Sequence, residues 1–164
     1  MARTIKYFFF ELTLLCCCIL AFGQQSKIDS LKLILKEAKH DTTRLRLRNE
    51  IGEASSIFRI GYWDSLCDDA KKVKSKEIES LALNNIGYIY DNQGDIVKAL
   101  YYYDRSLKIN KEIGNKFGVA QSLNNIGVIY DNQGNISKAL DYYDKSLKNT
   151  GRHWKQKRYC SITK

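Results

Sequence analysis

Residues 80–108 read SLALNNIGYIYDNQGDIVKALYYYDRSLK, and residues 120–148 read AQSLNNIGVIYDNQGNISKALDYYDKSLK. The two segments align without a gap, and a fixed period of this size is the signature of a repeat protein. The same residue types return at the positions that would shape a helical hairpin. The matched pairs are Leu83/Leu123, Ile86/Ile126, Gly87/Gly127, Tyr90/Tyr130, Ala99/Ala139, Tyr103/Tyr143 and Ser106/Ser146.

Each copy predicts two amphipathic helices. In the first helix the apolar residues recur at i, i+3 and i+7, which is one helix face. Gly94 is placed to end that helix in a left-handed conformation, and Asp95 or Asn135 is placed to cap the next one. A second apolar stripe follows: Ile96, Ala99, Leu100, Tyr103 and Leu107. Glycine inside a helix costs ~1 kcal/mol relative to alanine, so we predict that Gly87 and Gly127 permit close approach between helices.

This pattern resembles the tetratricopeptide repeat over residues 80–150. In that family a large residue, a Leu-Gly pair and a Tyr mark the first helix, and Ala-x3-aromatic marks the second. Here Leu stands for the usual Trp, and the closing Pro is absent. The forty-residue step and the NNIG-x-IY core resemble the kinesin-light-chain-like variant. The resemblance implies an all-α solenoid of helical hairpins, with about three helix pairs and a leading helix.

The first residues look like a secretory signal peptide. Arg3 and Lys6 precede an apolar run over 8–22 that Glu11 and Thr13 interrupt, and small residues allow cleavage after Gly23. We therefore assign residues 1–23 to a signal peptide and expect a periplasmic or secreted protein. The alternative is an uncleaved segment that anchors the protein in the inner membrane.

The segments before the two clear repeats are predicted to be helical. Residues 24–40 form a leading amphipathic helix that Ser26 can cap, with Ile28, Leu31, Leu35 and Ala38 on one face. Residues 41–79 form a degenerate hairpin, with 41–43 capping its first helix and 64–76 as its second. The alternative is a pair of capping helices outside the repeat. Repeats then span 80–119 and, incompletely, 120–151.

The charge is concentrated at one end of the chain. The net charge is +9, and residues 152–164 form an irregular tail with five basic residues and no acidic one. A basic tail is one route to nucleic-acid or membrane binding. The rest of the chain is only weakly basic, which argues against nucleic acid as the main partner.

Codons that are compatible with the tail can also give the repeat when they are read in another frame. Codons for residues 152–164, read one base later, can give Gly-Ile-Gly-Asn-Lys-Lys-Gly-Ile-Ala-Gln-Ser-Leu. The Gly that the Trp154 codon forces falls at the position equivalent to Gly114, and a second Gly, at Arg158, falls at that of Gly118. We therefore expect the tail to be an out-of-frame reading of a longer repeat array, with a genuine basic tail as the alternative.

The residues offer no basis for catalysis or for a cofactor. The two histidines, His40 and His153, form no cluster with metal-ligand spacing, and the glycines are explained by helix packing and capping. We predict no catalytic residue, no metal site and no cofactor. We expect Cys67 to be a small core residue.

The resemblance instead implies a groove for a protein or peptide along the first helices. The residues at family-matching positions are Asn84, Asn85, Tyr88, Asp91, Asn92, Asn124, Asn125, Val128, Asp131 and Asn132. An asparagine amide both donates and accepts, so it can pair with a peptide backbone of any sequence. The alternative is that these asparagines bond the adjacent repeat.

Two classes of function follow from these observations. The first is a non-catalytic peptide-binding scaffold in the cell envelope. The second is the sensory N-terminal region of a longer histidine-kinase or cyclase-type signalling protein, which such secreted repeats resemble. We also expect self-association, because the apolar face of residues 136–148 would lack the next repeat as its neighbour.

The frame hypothesis makes a direct prediction about the gene. Nucleotide sequencing from the codon of Ser146 onward should show codons that restore the repeat when read one base later. Codons that give no repeat in that frame would refute the hypothesis, and the basic tail would then be a genuine segment.

Overall fold

A computed structural model describes residues 23–55 and 59–150, and within these ranges the chain is all α-helical without a strand. The described residues form seven helices: α1 (23–37), α2 (Asp41–Ala54), α3 (Ile60–Lys72), α4 (Lys76–Asn92), α5 (Ile96–Glu112), α6 (Lys116–Asn132) and α7 (Ile136–Asn149). The chain divides into two compact units, Met1–Ile57 and Phe58–Lys164. The first unit contains α1 and α2, and the second contains α3 to α7. The signal peptide (except Gly23, at the start of α1) and the tail after Gly151 lie outside the described residues.

The leading helix has the predicted apolar face but a different start. Ile28 and Leu31 are buried, and Leu35 and Ala38 are half-buried. Ser26 does not cap the helix, because α1 already includes residue 23 and the Ser26 carbonyl accepts a hydrogen bond from Ser30 Oγ at 2.9 Å. The cap prediction was wrong because Ser26 lies inside the helix rather than before it.

The predicted limits of the next two helices also need correction. Asp41 is the first residue of α2 rather than its cap, and His40 precedes it without a side-chain capping bond. The helix α3 spans Ile60–Lys72 instead of 64–76. It stops early because Lys74 takes a left-handed conformation, with φ of 57°, at the position that Gly114 occupies one repeat later. The pairing of α2 with α3 falls between the two units and stays a prediction.

The turns of the two clear repeats are built as predicted. Gly94 and Gly134 have φ of 78° and 74°, which is the left-handed region that glycine enters without a steric penalty. Asp95 and Asn135 cap the helices that follow, each accepting from the backbone N–H three residues later at 3.1 and 3.2 Å. Asn115 caps α6 in the same way, which the sequence reasoning had missed.

The two helices of each hairpin approach closely at a glycine. A Cβ atom added to Gly87 would lie 2.8 Å from ring carbons of Tyr103, and one added to Gly127 would lie 2.7 Å from Tyr143. The Tyr103 side chain is only 1% exposed. The prediction for these glycines is confirmed: the tyrosine ring of the second helix lies against the bare backbone of the first.

A buried cluster of hydrogen bonds around Ser106 joins three successive helices. Ser106 Oγ on α5 donates to the Ser80 carbonyl of α4 at 2.8 Å. It also lies 3.3 Å from Nδ2 of Asn110 and 3.3 Å from Oγ of Ser122 on α6. A hydroxyl has one donor and two acceptor positions, so three partners are the most that this side chain can serve. The next repeat keeps the first of these bonds, from Ser146 Oγ to the carbonyl of residue 120 at 2.7 Å.

The glycine contact yields a stability prediction. We expect Gly87→Ala to lower the free energy of unfolding. Overpacking against Tyr103 should cost ~1–3 kcal/mol, and the higher helix propensity of alanine should offset ~1 kcal/mol of that loss. Urea denaturation followed by circular dichroism measures the change.

The matched control is Gly61→Ala on α3, an exposed glycine with no atom within 4 Å of an added Cβ. This substitution should leave stability unchanged or raise it by up to ~1 kcal/mol. Equal effects of the two substitutions would contradict the close contact at Gly87.

Candidate functional site

In the second unit the first helices of the two repeats, α4 and α6, lie closer together than the second helices, α5 and α7. The backbones of α4 and α6 approach within 8 Å, whereas α5 and α7, both fully described, do not. Helices packed closer on one side than on the other make a stack that curves toward the closer side. We infer that a concave surface follows α4 and α6. The ten predicted site residues all lie on these two helices.

The amides at the seam between these helices bond to each other. Asn125 Nδ2 on α6 donates to Asn84 Oδ1 on α4 at 3.2 Å. Asn84 is buried, and Asn85 and Asn125 are half-buried. For Asn84 and Asn125 the structure therefore shows the interaction between adjacent repeats that was the alternative to peptide contact. Asn124, which matches Asn84 one repeat later, is exposed.

One and two turns further along, the side chains of this surface are more exposed. Tyr88 is 48% exposed, and Asn92 and Asn132 are exposed. Asn92 Nδ2 donates to the Tyr88 carbonyl at 2.7 Å within its own helix, which leaves its amide oxygen for another donor. Val128 stands at the position of Tyr88 in the next repeat and is half-buried. The two repeats thus present different side chains at one equivalent point of the groove.

The two aspartates of the predicted site interact with the tyrosines of the second helices. Burial raises the pKa of the half-buried Asp91 carboxyl. Burial, and then the nearby Asp91 carboxylate, raises the pKa of Tyr103. Burial likewise raises the pKa of Tyr143, and the Asp131 carboxylate, which accepts a hydrogen bond from the Tyr143 hydroxyl, raises it further. Both aspartates therefore disfavour loss of the proton from the tyrosine that each of them neighbours.

Stacked tyrosines are a feature that the sequence reasoning missed. The rings of Tyr90 and Tyr102 are stacked at 5.5 Å and 12°, and Lys98 Nζ lies 5.0 Å from the centre of the Tyr90 ring. The second hairpin repeats the arrangement with Tyr130, Tyr142 and Lys138. Both tyrosines recur at the forty-residue period, so the signal was present in the sequence. Such contacts fix the two helices of a hairpin against each other.

Two properties of the described ranges, 23–55 and 59–150, concern metals and membranes. No group of three His, Cys, Asp or Glu side chains in them could hold a metal ion. None of their helices combines the length and the apolar character that a membrane span requires. Cys67 is buried as a free thiol in α3, as predicted.

Comparison with known proteins agrees with this geometry. Residues 79–150, less than half of the chain, match the model of the tetratricopeptide repeat family. The fold is an all-α, tetratricopeptide-type solenoid. Tetratricopeptide repeats generally mediate protein–protein interactions in a non-catalytic scaffold role. No curated protein matches the chain.

The Asn84–Asn125 bond predicts an energetic coupling between the two repeats. A double-mutant cycle with Asn84→Ala, Asn125→Ala and both together should give a coupling energy of about 0.5–1.5 kcal/mol, because the two amides bond each other. The control cycle uses Asn92 and Asn132, which occupy equivalent exposed positions, and should give a coupling near zero. A coupling near zero in both cycles would show that the seam bond contributes nothing to repeat stacking.

Proposed function

We propose that the tetratricopeptide repeats of this chain bind a peptide segment of a partner protein in the concave groove along α4 and α6. The role is that of a non-catalytic scaffold. The observation that carries the proposal is the exposed Tyr88 on α4, one helical turn from the hydrogen-bonded Asn84.

The seam amides suit a peptide backbone. The bond between Asn84 and Asn125 uses one acceptor atom and one donor hydrogen. Asn125 keeps its amide oxygen and a second N–H hydrogen, and the neighbouring Asn85 and Asn124 add further donors and acceptors. Because the seam bond fixes the orientation of the Asn125 amide, little side-chain freedom is lost when a peptide binds.

Selectivity among peptides would come from the positions where the two repeats differ. Tyr88 offers a large ring with a polar hydroxyl, a type of side chain that is enriched among the dominant contacts of protein interfaces. Val128 offers only a small apolar surface at the equivalent point. We infer that Tyr88 is the main anchor and that the ligand places an apolar or aromatic side chain beside it.

A selection experiment tests the groove. Peptides selected from a phage-displayed library of random 12-residue sequences on the full chain should bind it saturably in fluorescence anisotropy. Tyr88→Ala should weaken this binding at least ~10-fold, because a central aromatic anchor is lost. The matched control is Tyr101→Ala, which removes a similarly exposed tyrosine, 56% against 48%, from the second helix α5.

Binding that survives Tyr88→Ala, or that is lost equally with Tyr101→Ala, would refute the groove. Random peptides that never enrich on the folded chain would refute it as well.

We also propose that the scaffold works in the cell envelope. The support is the basic start and apolar run of residues 1–23, with inner-membrane anchoring as the alternative to a periplasmic or secreted protein. The repeat that codons for residues 152–164 can give in a shifted frame supports the further proposal that the chain is a fragment of a longer array. In that case the array resembles the sensory region of a signalling protein.

A further inference from the structure

The first helices of the two clear repeats carry very few charged side chains, and those few are acidic over most of their length. In α4 from Ser80 onward, and in α6 from Gly118 onward, each helix has a single charged residue, Asp91 and Asp131 respectively. The whole chain, by contrast, carries a net charge of +9. These two stretches, which follow the proposed groove, are therefore acidic on a basic protein.

Asp91 shares one face of α4 with two residues of the proposed groove. Asn84, Tyr88 and Asp91 follow one another at i, i+4 and i+7, a spacing that places side chains on one side of a helix. Asn84 accepts its hydrogen bond from Asn125 of α6, so this side meets the seam between the repeats. After burial, the Asp91 carboxylate and the Tyr88 side chain both raise the pKa of Tyr103. Asp91 and Tyr88 are therefore neighbours that both lie near the Tyr103 hydroxyl.

Among the residues of 23–55 and 59–150, no cation compensates the charge of the half-buried Asp91 carboxylate. Burial raises its pKa, and no positive charge opposes that effect. The lysine nearest in sequence, Lys98, is engaged elsewhere, 2.8 Å from the Asp95 carboxylate and 5.0 Å from the centre of the Tyr90 ring. A positively charged group that approaches a partly desolvated carboxylate stabilises its ionised form. The Asp91 side chain therefore favours a ligand that brings its own cation.

The equivalent position of the second repeat is less suited to a cation. Asp131 is exposed and already accepts a hydrogen bond from the Tyr143 hydroxyl. Val128 stands where the first repeat has the exposed Tyr88. The face of an aromatic ring attracts a cation electrostatically, so a ring beside a carboxylate adds to the attraction of the charge. Of the two repeats, the first therefore offers the better subsite for a positive charge, formed by Tyr88 and Asp91.

We propose that the peptide ligand places the side chain of a lysine or an arginine at this cation subsite, formed by Tyr88 and Asp91. The basic residue adjoins the apolar or aromatic residue of the ligand that contacts Tyr88. The cation subsite rests on the peptide groove proposed above, and it adds the charge of the ligand. That charge is the opposite of the one that the net charge of the chain would attract, because a basic protein favours acidic peptides.

Peptides selected on the full chain test the cation subsite. The probes are the sequences that a phage-displayed library of random 12-residue peptides yields at physiological ionic strength. Among those whose binding depends on Tyr88, we expect lysine or arginine at one fixed position. Glutamine in place of that basic residue should weaken the binding ~10-fold in fluorescence anisotropy, because a charge-assisted hydrogen bond is lost.

Removal of the carboxylate charge gives the complementary measurement. Asp91→Asn keeps the shape of the side chain and should weaken the binding of the basic peptide ~10-fold. It should leave the affinity of the glutamine version of the peptide unchanged, which shows that the two charges interact and that the variant is folded. The matched control is Asp104→Asn, which removes an exposed carboxylate from the second helix α5 and should leave both affinities unchanged.

Failure of the cation subsite and failure of the groove give different results. Peptides that bind in a Tyr88-dependent manner but share no basic position would overturn the subsite and leave the groove intact. So would a basic peptide that Asp91→Asn binds as tightly as the parent chain does, or that loses equal affinity with Asp104→Asn. An equal loss for the basic peptide and its glutamine version would also overturn the subsite. A library from which no peptide is enriched would refute the groove, and the subsite with it.

Discussion

The contact between a tyrosine ring and a bare glycine backbone is the constraint on which each hairpin depends. Tyr103 is almost fully buried against Gly87, and Tyr143 takes the same place against Gly127. A side chain at either glycine would push the helices apart, and the stacked tyrosine pairs would then lose their geometry. The glycine therefore sets the spacing within a hairpin, and this spacing determines where the next first helix can pack.

Buried polar side chains then connect one hairpin to the next. Ser106 serves three partners on α4, α5 and α6, and Asn125 bonds Asn84 across the seam. Apolar contacts alone would tolerate small sliding movements between helices, whereas a buried hydroxyl or amide loses its partner if the register changes. These bonds therefore favour one register of stacking, and the curvature that forms the groove follows from it.

The same seam gives the candidate site its chemistry. The bond between Asn125 and Asn84 fixes the orientation of these two amides. Tyr88 and Val128 differ at one equivalent point beside them. In the peptide groove that we propose, the amides would accept any peptide backbone, and this one position would distinguish among side chains.

The sequence by itself determined the period, the helix faces, the turn at Gly94, the caps at Asp95 and Asn135, and the close approach at Gly87, because each is a local requirement of the backbone. It left open which amides serve the seam and which face a ligand, since a buried and an exposed asparagine have the same spacing along a helix. It also misplaced α3, because Lys74 takes a left-handed turn that is usual for glycine. Only the tertiary structure decided these points: the packing of α4 on α6 buries Asn84 and leaves Asn124 exposed, and that packing depends on residues forty positions apart.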